Sequence, residues 1–222
     1  MNIIDAIKNR NSVRSYTNKP ISKEIINQLQ ESIDKINNQN GLNFQMFTNE
    51  PNAFSGFMAH YGKFNGVNNY IALVGKKSDN LDETIGYYGE QLVLQIQQLG
   101  LNSCWVALTF NKGKCNAKVN NSEKLVCVIP FGYGTTQGIA HKSKPIESLY
   151  KSNKDIPDWF KKGLELAMLA PTAMNQQKFI ICLNDDNTVS IKSTGGFYSK
   201  VDLGIVKYHF ELGADINNFK WK

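Results

Sequence analysis

The sequence predicts an α+β fold, and three observations predict it. Segments with helical periodicity alternate with short apolar, strand-like runs from one end of the chain to the other. The order helix, loop, strands, helix occurs twice. A hydrophobic content of 41% over 222 residues is enough to build a substantial core.

The elements follow in order. Asn2 can cap a first helix, NIIDAIKNR, which places Ile3 and Ile7 on one face. After the basic turn RNSVR, Pro20 and a capping Ser22 open a second helix with Ile25, Leu29, Ile33 and Ile36 at helical spacing. NFQMFT and NYIALVG read as strands, and the aromatic, Gly-rich stretch between them, FSGFMAHYGKFNG, has no period and reads as a loop. From Asp82 to Leu99, the residues Ile85, Tyr88, Leu92, Ile96 and Leu99 form one helical stripe that Gly100 terminates. SCWVAL and LVCVIPF are expected as buried strands, the second running into the turn GYG and the basic AHKSKP. A helix over DWFKKGLELAMLA, a loop at APTAMNQQKF, strands at FIICL and TVSIK and a last helix near VDLGIVKYHFELGA complete the chain.

The recurrence is weak residue by residue but consistent in order. Asn18-Lys19-Pro20-Ile21 is echoed by Asn153-Lys154-Asp155-Ile156 at an offset of 135, each leading into a helix, and Phe44 is echoed by Phe179 at the same offset. TIGYYGEQLVL resembles DLGIVKYHFEL at an offset of 118, with Gly86 and Gly204 in register. Two related halves packed about a pseudo-two-fold axis are therefore expected, over residues 1–148 and a shorter 149–222, intimately joined as one globular unit.

Composition narrows the function. A net charge of +6 would suit nucleic acid, but Lys and Arg are spread without a basic run or a DNA-binding signature, so no nucleic-acid partner is expected. No run approaches the roughly 18 apolar residues of a membrane span. The opening stretch carries Asp5, Lys8 and Arg10 in place of a signal-peptide apolar region, and the cytoplasm is the expected location. Cys104, Cys115, Cys127 and Cys182 lack metal-ligand spacing and are read as reduced thiols. His60, His141 and His209 stand alone, and no triad, carboxylate pair or metal cluster is present in the pattern.

Three polar segments remain. Arg10-Asn11-Ser12-Val13-Arg14 puts two guanidinium groups and a hydroxyl at the end of a helix, an arrangement suited to a phosphate or an electron-rich ring edge. Cations also collect at helix C-termini for the macrodipole alone, so this segment by itself does not define a site. Lys142-Ser143-Lys144, ahead of Pro145, offers two more cations around a hydroxyl. APTAMNQQKF, residues 170–179, brings Pro171, Thr172, Asn175 and Gln177 into a turn with more hydrogen-bonding groups than an ordinary connection needs.

In order and content these segments resemble the flavin-dependent nitroreductase family. Its Arg-Arg-Ser-x-Arg-like segment is matched by Arg10 to Arg14, its Ala-Pro-Ser-x-x-Asn-x-Gln-Pro-Trp-like segment by Ala170 to Phe179, and its Gly-Leu-Gly-x-Cys-Trp by Gly100 to Trp105. Gly132-Tyr133 and Lys142-Ser143-Lys144-Pro145 match its Gly-Tyr turn and basic segment. One departure stands out: where family members carry the Pro-Ser-Asn segment, this chain has KINNQNGLNFQMF, and the counterpart lies about 135 residues further on. Family members are homodimers whose FMN is held by the Arg-Ser-Arg segment of one subunit and the Pro-Ser-Asn segment of the other, and this chain resembles such a dimer condensed into one polypeptide. The resemblance implies a nitroreductase-like fold with mostly antiparallel sheets flanked by helices, a pseudo-dimer within one chain.

What the resemblance implies for function is specific. FMN is the expected cofactor, NAD(P)H the donor and a flat nitroaromatic or quinone the acceptor, in ping-pong order, with the chemistry at flavin N5 and no catalytic side chain. Arg10, Asn11, Ser12, Lys142 and Lys144 are expected around the phosphate, Arg14 at the pyrimidine edge, and Pro171, Thr172, Ala173, Asn175 and Gln177 on the other face. At the 135 offset Arg10 and Arg14 become Pro145 and Leu149, so one flavin per chain is expected. Internal pairing suits a monomer and leaves a homodimer open. The alternative function is an FMN-binding protein of this fold with different or lost redox activity.

Overall fold

The structure is a computed structural model that describes all 222 residues. The chain divides into two compact units, one of residues 1–81 and 92–140, the other of residues 82–91 and 141–222.

In the first unit, α1 (Ile3–Asn9) begins where Asn2 accepts from the Asp5 N–H, and α2 (Lys23–Asn40) where Ser22 accepts from the Ile25 N–H. Each side chain satisfies one of the amides that a helix start leaves without a partner. Leu29, Ile33 and Ile36 of α2 are buried, as their spacing requires. A four-stranded sheet, β1 (Gln45–Phe47), β2 (Tyr70–Lys76), β3 (Asn102–Ser103) and β4 (Glu123–Gly132), is ordered β1-β2-β4-β3 and antiparallel throughout. Tyr70 to Gly75 of β2 are all buried, which explains a continuous apolar run in place of alternation. Tyr70, Ala72 and Val74 join Val13, Tyr16, Phe54, Phe64 and Val128 in one cluster, while Ile71 and Leu73 turn to the opposite face.

Two expectations fail in this unit. SCWVAL is not a continuous strand: β3 is two residues long, and Val106 forms only an isolated bridge with Val128. The reason is Pro130, which accepts from the Cys104 N–H but has no N–H to return, so the ladder is interrupted between its two ends. FSGFMAHYGKFNG is not wholly a loop, because Phe57–Tyr61 forms a short helix, α3.

In the second unit, β5 (Tyr150–Ser152), β6 (Phe179–Leu183), β7 (Thr188–Ser193) and β8 (Lys220–Trp221) form a sheet in chain order. Only the β6–β7 hairpin is antiparallel here; β5–β6 and β7–β8 are parallel, so this sheet is mixed, while the pairing over the two sheets together is mostly antiparallel, as expected. α5 (Asp158–Ala167) and α6 (Ser199–Ala214) flank it. An aromatic cluster packs around Phe210, with Phe160, Phe219 and Trp221 at ring separations of 5.4, 5.3 and 5.6 Å.

The long helix α4 (Leu81–Gln98) contributes its residues 82–91 to the second unit, where they cross α6 at two glycines. A Cβ on Gly86 would run into the Val201 carbonyl and the Ile205 N–H, and one on Gly204 into the Glu83 carbonyl and the Tyr87 N–H. The contacts are reciprocal: at an offset of 118, Glu83, Gly86 and Tyr87 become Val201, Gly204 and Ile205. The stripe expected for α4 is too narrow, because Glu90 is also fully buried, its carboxylate bonded to Nε2 of buried His209 at 2.9 Å.

Candidate cofactor site

The eleven residues expected at the site fall into two clusters, one in each unit. In the first, α1 ends at Arg10, whose N–H still bonds to the Ala6 carbonyl while its backbone has turned extended. The Arg10 side chain is 6% exposed, and its Nε is buried with no hydrogen-bond partner. Asn11 donates from Nδ2 to the Gln137 carbonyl at 3.1 Å, tying the segment to the turn after β4. Ser12 bridges Ser103 in parallel, and the Val13 N–H donates to the Ser103 carbonyl at 3.0 Å. The Arg14 carbonyl accepts from the Asn65 N–H at 3.0 Å, leaving its side chain exposed. Tyr16 locks the exit by donating its hydroxyl to the Val13 carbonyl at 2.6 Å.

Cys104 records how these groups converge. Burial pushes its thiol pKa up, against the opposing pull of the Arg14 charge, the Ser12 hydroxyl and the Arg10 charge. Three of the expected site residues therefore act on one buried atom. The thiol itself is a core group, protonated and inert.

In the second cluster Gln177 is the centre. It is 3% exposed, and its amide is fully engaged: Oε1 accepts from the Lys144 N–H at 2.8 Å, while Nε2 donates to the Lys142 carbonyl at 2.8 Å and to Asn175 Oδ1 at 2.9 Å. Asn175 Nδ2 donates to the same Lys142 carbonyl at 3.0 Å. Lys144 reaches the loop with Nζ, donating to the carbonyls of Gln176 at 2.8 Å and Gln177 at 3.1 Å. Thr172 accepts the Gln177 N–H on its hydroxyl at 3.0 Å. The side chains of Asn175, Gln177 and Lys144 are thus tied to the protein, Gln177 buried and the other two still exposed; Pro171, Thr172 and Ala173 are half-buried, and Met174 is 78% exposed.

Asp202 of α6, absent from the residues expected at the site, completes this cluster. Its carboxylate accepts from the Ala173 N–H at 2.9 Å and from Gln176 Nε2 at 2.7 Å. Burial pushes its pKa up to about 6 although both donors pull it down. A separate cavity of about 420 Å³ in the first unit is lined by Tyr16, Lys19, Lys23, Asn69 and Gly132 among others, and by none of the eleven.

These segments and this order of elements can be compared with known proteins. The family described as "Putative TM nitroreductase" matches residues 2–214. The chain belongs to the nitroreductase family. A solved structure from Thermotoga maritima, described as a "putative nitroreductase", is 26% identical and superposes with a TM-score of 0.67 over 99% of this chain and 87% of its own. A structure from Desulfovibrio desulfuricans, described as a "putative nitroreductase in complex with fmn", shares the fold at 19% identity and a TM-score of 0.56, over 71% of this chain and 99% of its own. A Bacteroides thetaiotaomicron structure described as an NADH dehydrogenase/NAD(P)H nitroreductase does so at 21% and 0.53, over 66% and 95%. No curated protein matches the chain. As in its nitroreductase relatives, the fold is α+β, and none of its helices is long and apolar enough to cross a membrane.

Proposed function

We propose that this nitroreductase is an FMN-dependent oxidoreductase that takes hydride from NAD(P)H and passes it to a flat acceptor such as a nitroaromatic or quinone. One observation carries the proposal: Arg10 holds a buried guanidinium Nε with no partner, next to Ser12 and Arg14 in sequence and acting with them on Cys104. An N–H left unsatisfied in the interior costs about 1–3 kcal/mol, and a phosphate oxygen would satisfy it with a charge-assisted bond. The residues present therefore fit the anionic end of FMN. Arg10, Asn11 and Ser12 would bind it, and Arg14, a fixed exposed cation, would lie at the pyrimidine edge and favour the reduced, anionic ring. Pro171, Thr172 and Ala173 would meet the flavin through backbone groups, while Asn175, Gln177, Lys142 and Lys144 hold that loop in shape. When bound, the flavin supplies hydride acceptance and donation at N5, which is why no catalytic acid, base or metal is required of the chain.

The proposal extends to architecture: one chain stands for a dimer. The reciprocal crossing of Gly86 and Gly204 supports it, because a true two-fold axis relates identical contacts in just this way. So does the extent of the Desulfovibrio match, which takes in 99% of that chain and only 71% of this one. The test is an absorption spectrum with flavin quantitation on the purified protein, followed by NAD(P)H turnover with menadione or a nitrofuran and by sedimentation. A yellow monomer with one FMN per chain that is reduced by either nicotinamide is expected. Colourless protein that takes up no FMN would end the proposal.

A further inference from the structure

We infer that Asp202 is the positioning residue that holds the 170–179 loop in its closed shape, and that it links closure of the loop to uptake of a proton. The inference rests on the proposed flavin role only in taking this loop as a flavin contact; the latch itself is a property of the free chain.

The loop needs a latch because its backbone is strained. Met174, Asn175 and Gln177 have φ of 50, 52 and 45°, three non-glycine residues in the left-handed region within four positions. Such conformations persist only where the surroundings over-determine them. Two sets of bonds do so. Lys142 and Lys144 hold the end of the loop, but Lys144 Nζ is at an exposed position where water competes. Asp202 holds the beginning and middle, through Ala173 and Gln176, and is only 6% exposed. Gln176 has little freedom to turn away: Nε2 also donates to the Phe197 carbonyl at 2.7 Å, and its Oε1 fills the space that a Cβ on Gly196 would need.

Both hydrogen-bond partners of Asp202 come from the loop, and on this proposal it is closure of the loop that takes the carboxylate out of water. The donors the loop aims at it, the Ala173 N–H and Gln176 Nε2, are neutral, and the loop's one cation, Lys178, is exposed. On its own helix lie Tyr198, Lys200 and Lys207; from α4 come Glu83, paired with Lys207, Tyr87, bonded to Glu211, and Glu90, bonded to His209. None of these charges enters the balance that sets its affinity for protons, which is burial against the Gln176 and Ala173 bonds. The sign then follows. An opened loop returns the carboxylate to water and to its ordinary value of 3.8, whereas the closed loop raises it to about 6. The closed state binds the proton more tightly, so closure is strongest below about 4, weakens as pH rises toward 6 and is weakest above it.

The experiment has two arms. In flavin-free protein, carboxyl NMR of Asp202 and amide exchange of Ala173 are followed from pH 8 to 5; a midpoint near 6 and roughly tenfold greater protection at the acid end, after correction for intrinsic exchange, are expected. An Asp202 midpoint near 4, or protection that is flat with pH, would overturn the inference. With FMN present, the wild-type Kd should tighten several-fold relative to Asp202→Asn as pH falls from 7.5 to 5.5. The phosphate of FMN also titrates near pH 6, but it does so in both proteins and cancels in the ratio. A ratio that does not move with pH refutes the link. Asp202→Ala should weaken FMN binding at every pH; should it not fold, Asp202→Asn and the wild-type titration still decide. Protein that binds no FMN yet shows the expected Ala173 protection would sink the flavin proposal and leave the latch standing.

Discussion

The Arg10–Arg14 segment and the 170–179 loop are both polar and both rich in groups suited to an anionic ring ligand, yet they are built in opposite ways. The first leaves a buried guanidinium N–H without a partner; the second uses up nearly every amide it has on Lys142, Lys144, Asn175 and Asp202. An unsatisfied donor is a binding element waiting for its acceptor, whereas a satisfied network is a shape. Side-chain chemistry alone assigned the two segments the same job. Under the proposed function their hydrogen bonds would divide it into holding a ligand and holding a surface.

Substitutions can break that division. The largest effect is expected from Gln177→Ala, which removes all three side-chain bonds that key the second cluster and strands the Lys144 N–H: a loss of about 3 kcal/mol, read as a fall in Tm of roughly 6–12 °C in flavin-free protein. An unchanged Tm would mean that the loop is not keyed by this residue. Arg10→Met should do the reverse, weakening FMN binding about 30–100-fold while leaving the flavin-free Tm unchanged or slightly raised, since it removes an unsatisfied buried group. A large drop in stability instead would make Arg10 a structural residue. Lys144→Met removes two bonds to carbonyls, one exposed and one part-buried, and should cost only about 1 kcal/mol, with a few-fold loss of FMN measured by fluorescence titration. A loss as large as that of Arg10, and steep in salt, would give Lys144 the phosphate contact that the sequence suggests. The smallest change in affinity is expected at Arg14→Met, whose signature is a more negative flavin midpoint potential by spectroelectrochemistry; an unmoved potential removes Arg14 from the ring edge.

The long elements were legible because their signals are local. α2 and α4 run 18 residues each, long enough for a period to show, and Asn2 and Ser22 cap where a capping residue must. The failures share a different cause: they depend on a neighbour remote in sequence. Nothing in SCWVAL reveals that Pro130 will lie opposite Cys104, and β5 and β8, at three and two residues, are too short to carry alternation. The segments of the candidate site were proposed from their residue types, which carry no information on the direction of each side chain. Gln177 points inward because Lys142 and Lys144, over thirty residues earlier, supply its partners. Asp202 was hidden for the same reason. Its only sequence trace is a carboxylate set between Val201 and Leu203 in an otherwise apolar run, which a surface position on α6 would explain equally well.

The paired glycines on α4 and α6 have a consequence for how this protein can change over generations. At Gly86 and Gly204 the obstacle to any side chain is main chain, which no compensating replacement nearby can trim. If one chain stands for a dimer, as proposed, drift would be free to erase the likeness between its two parts nearly everywhere else. A library of random variants screened for folded protein should accordingly return survivors across the solvent faces of both helices and draw a blank at these two codons.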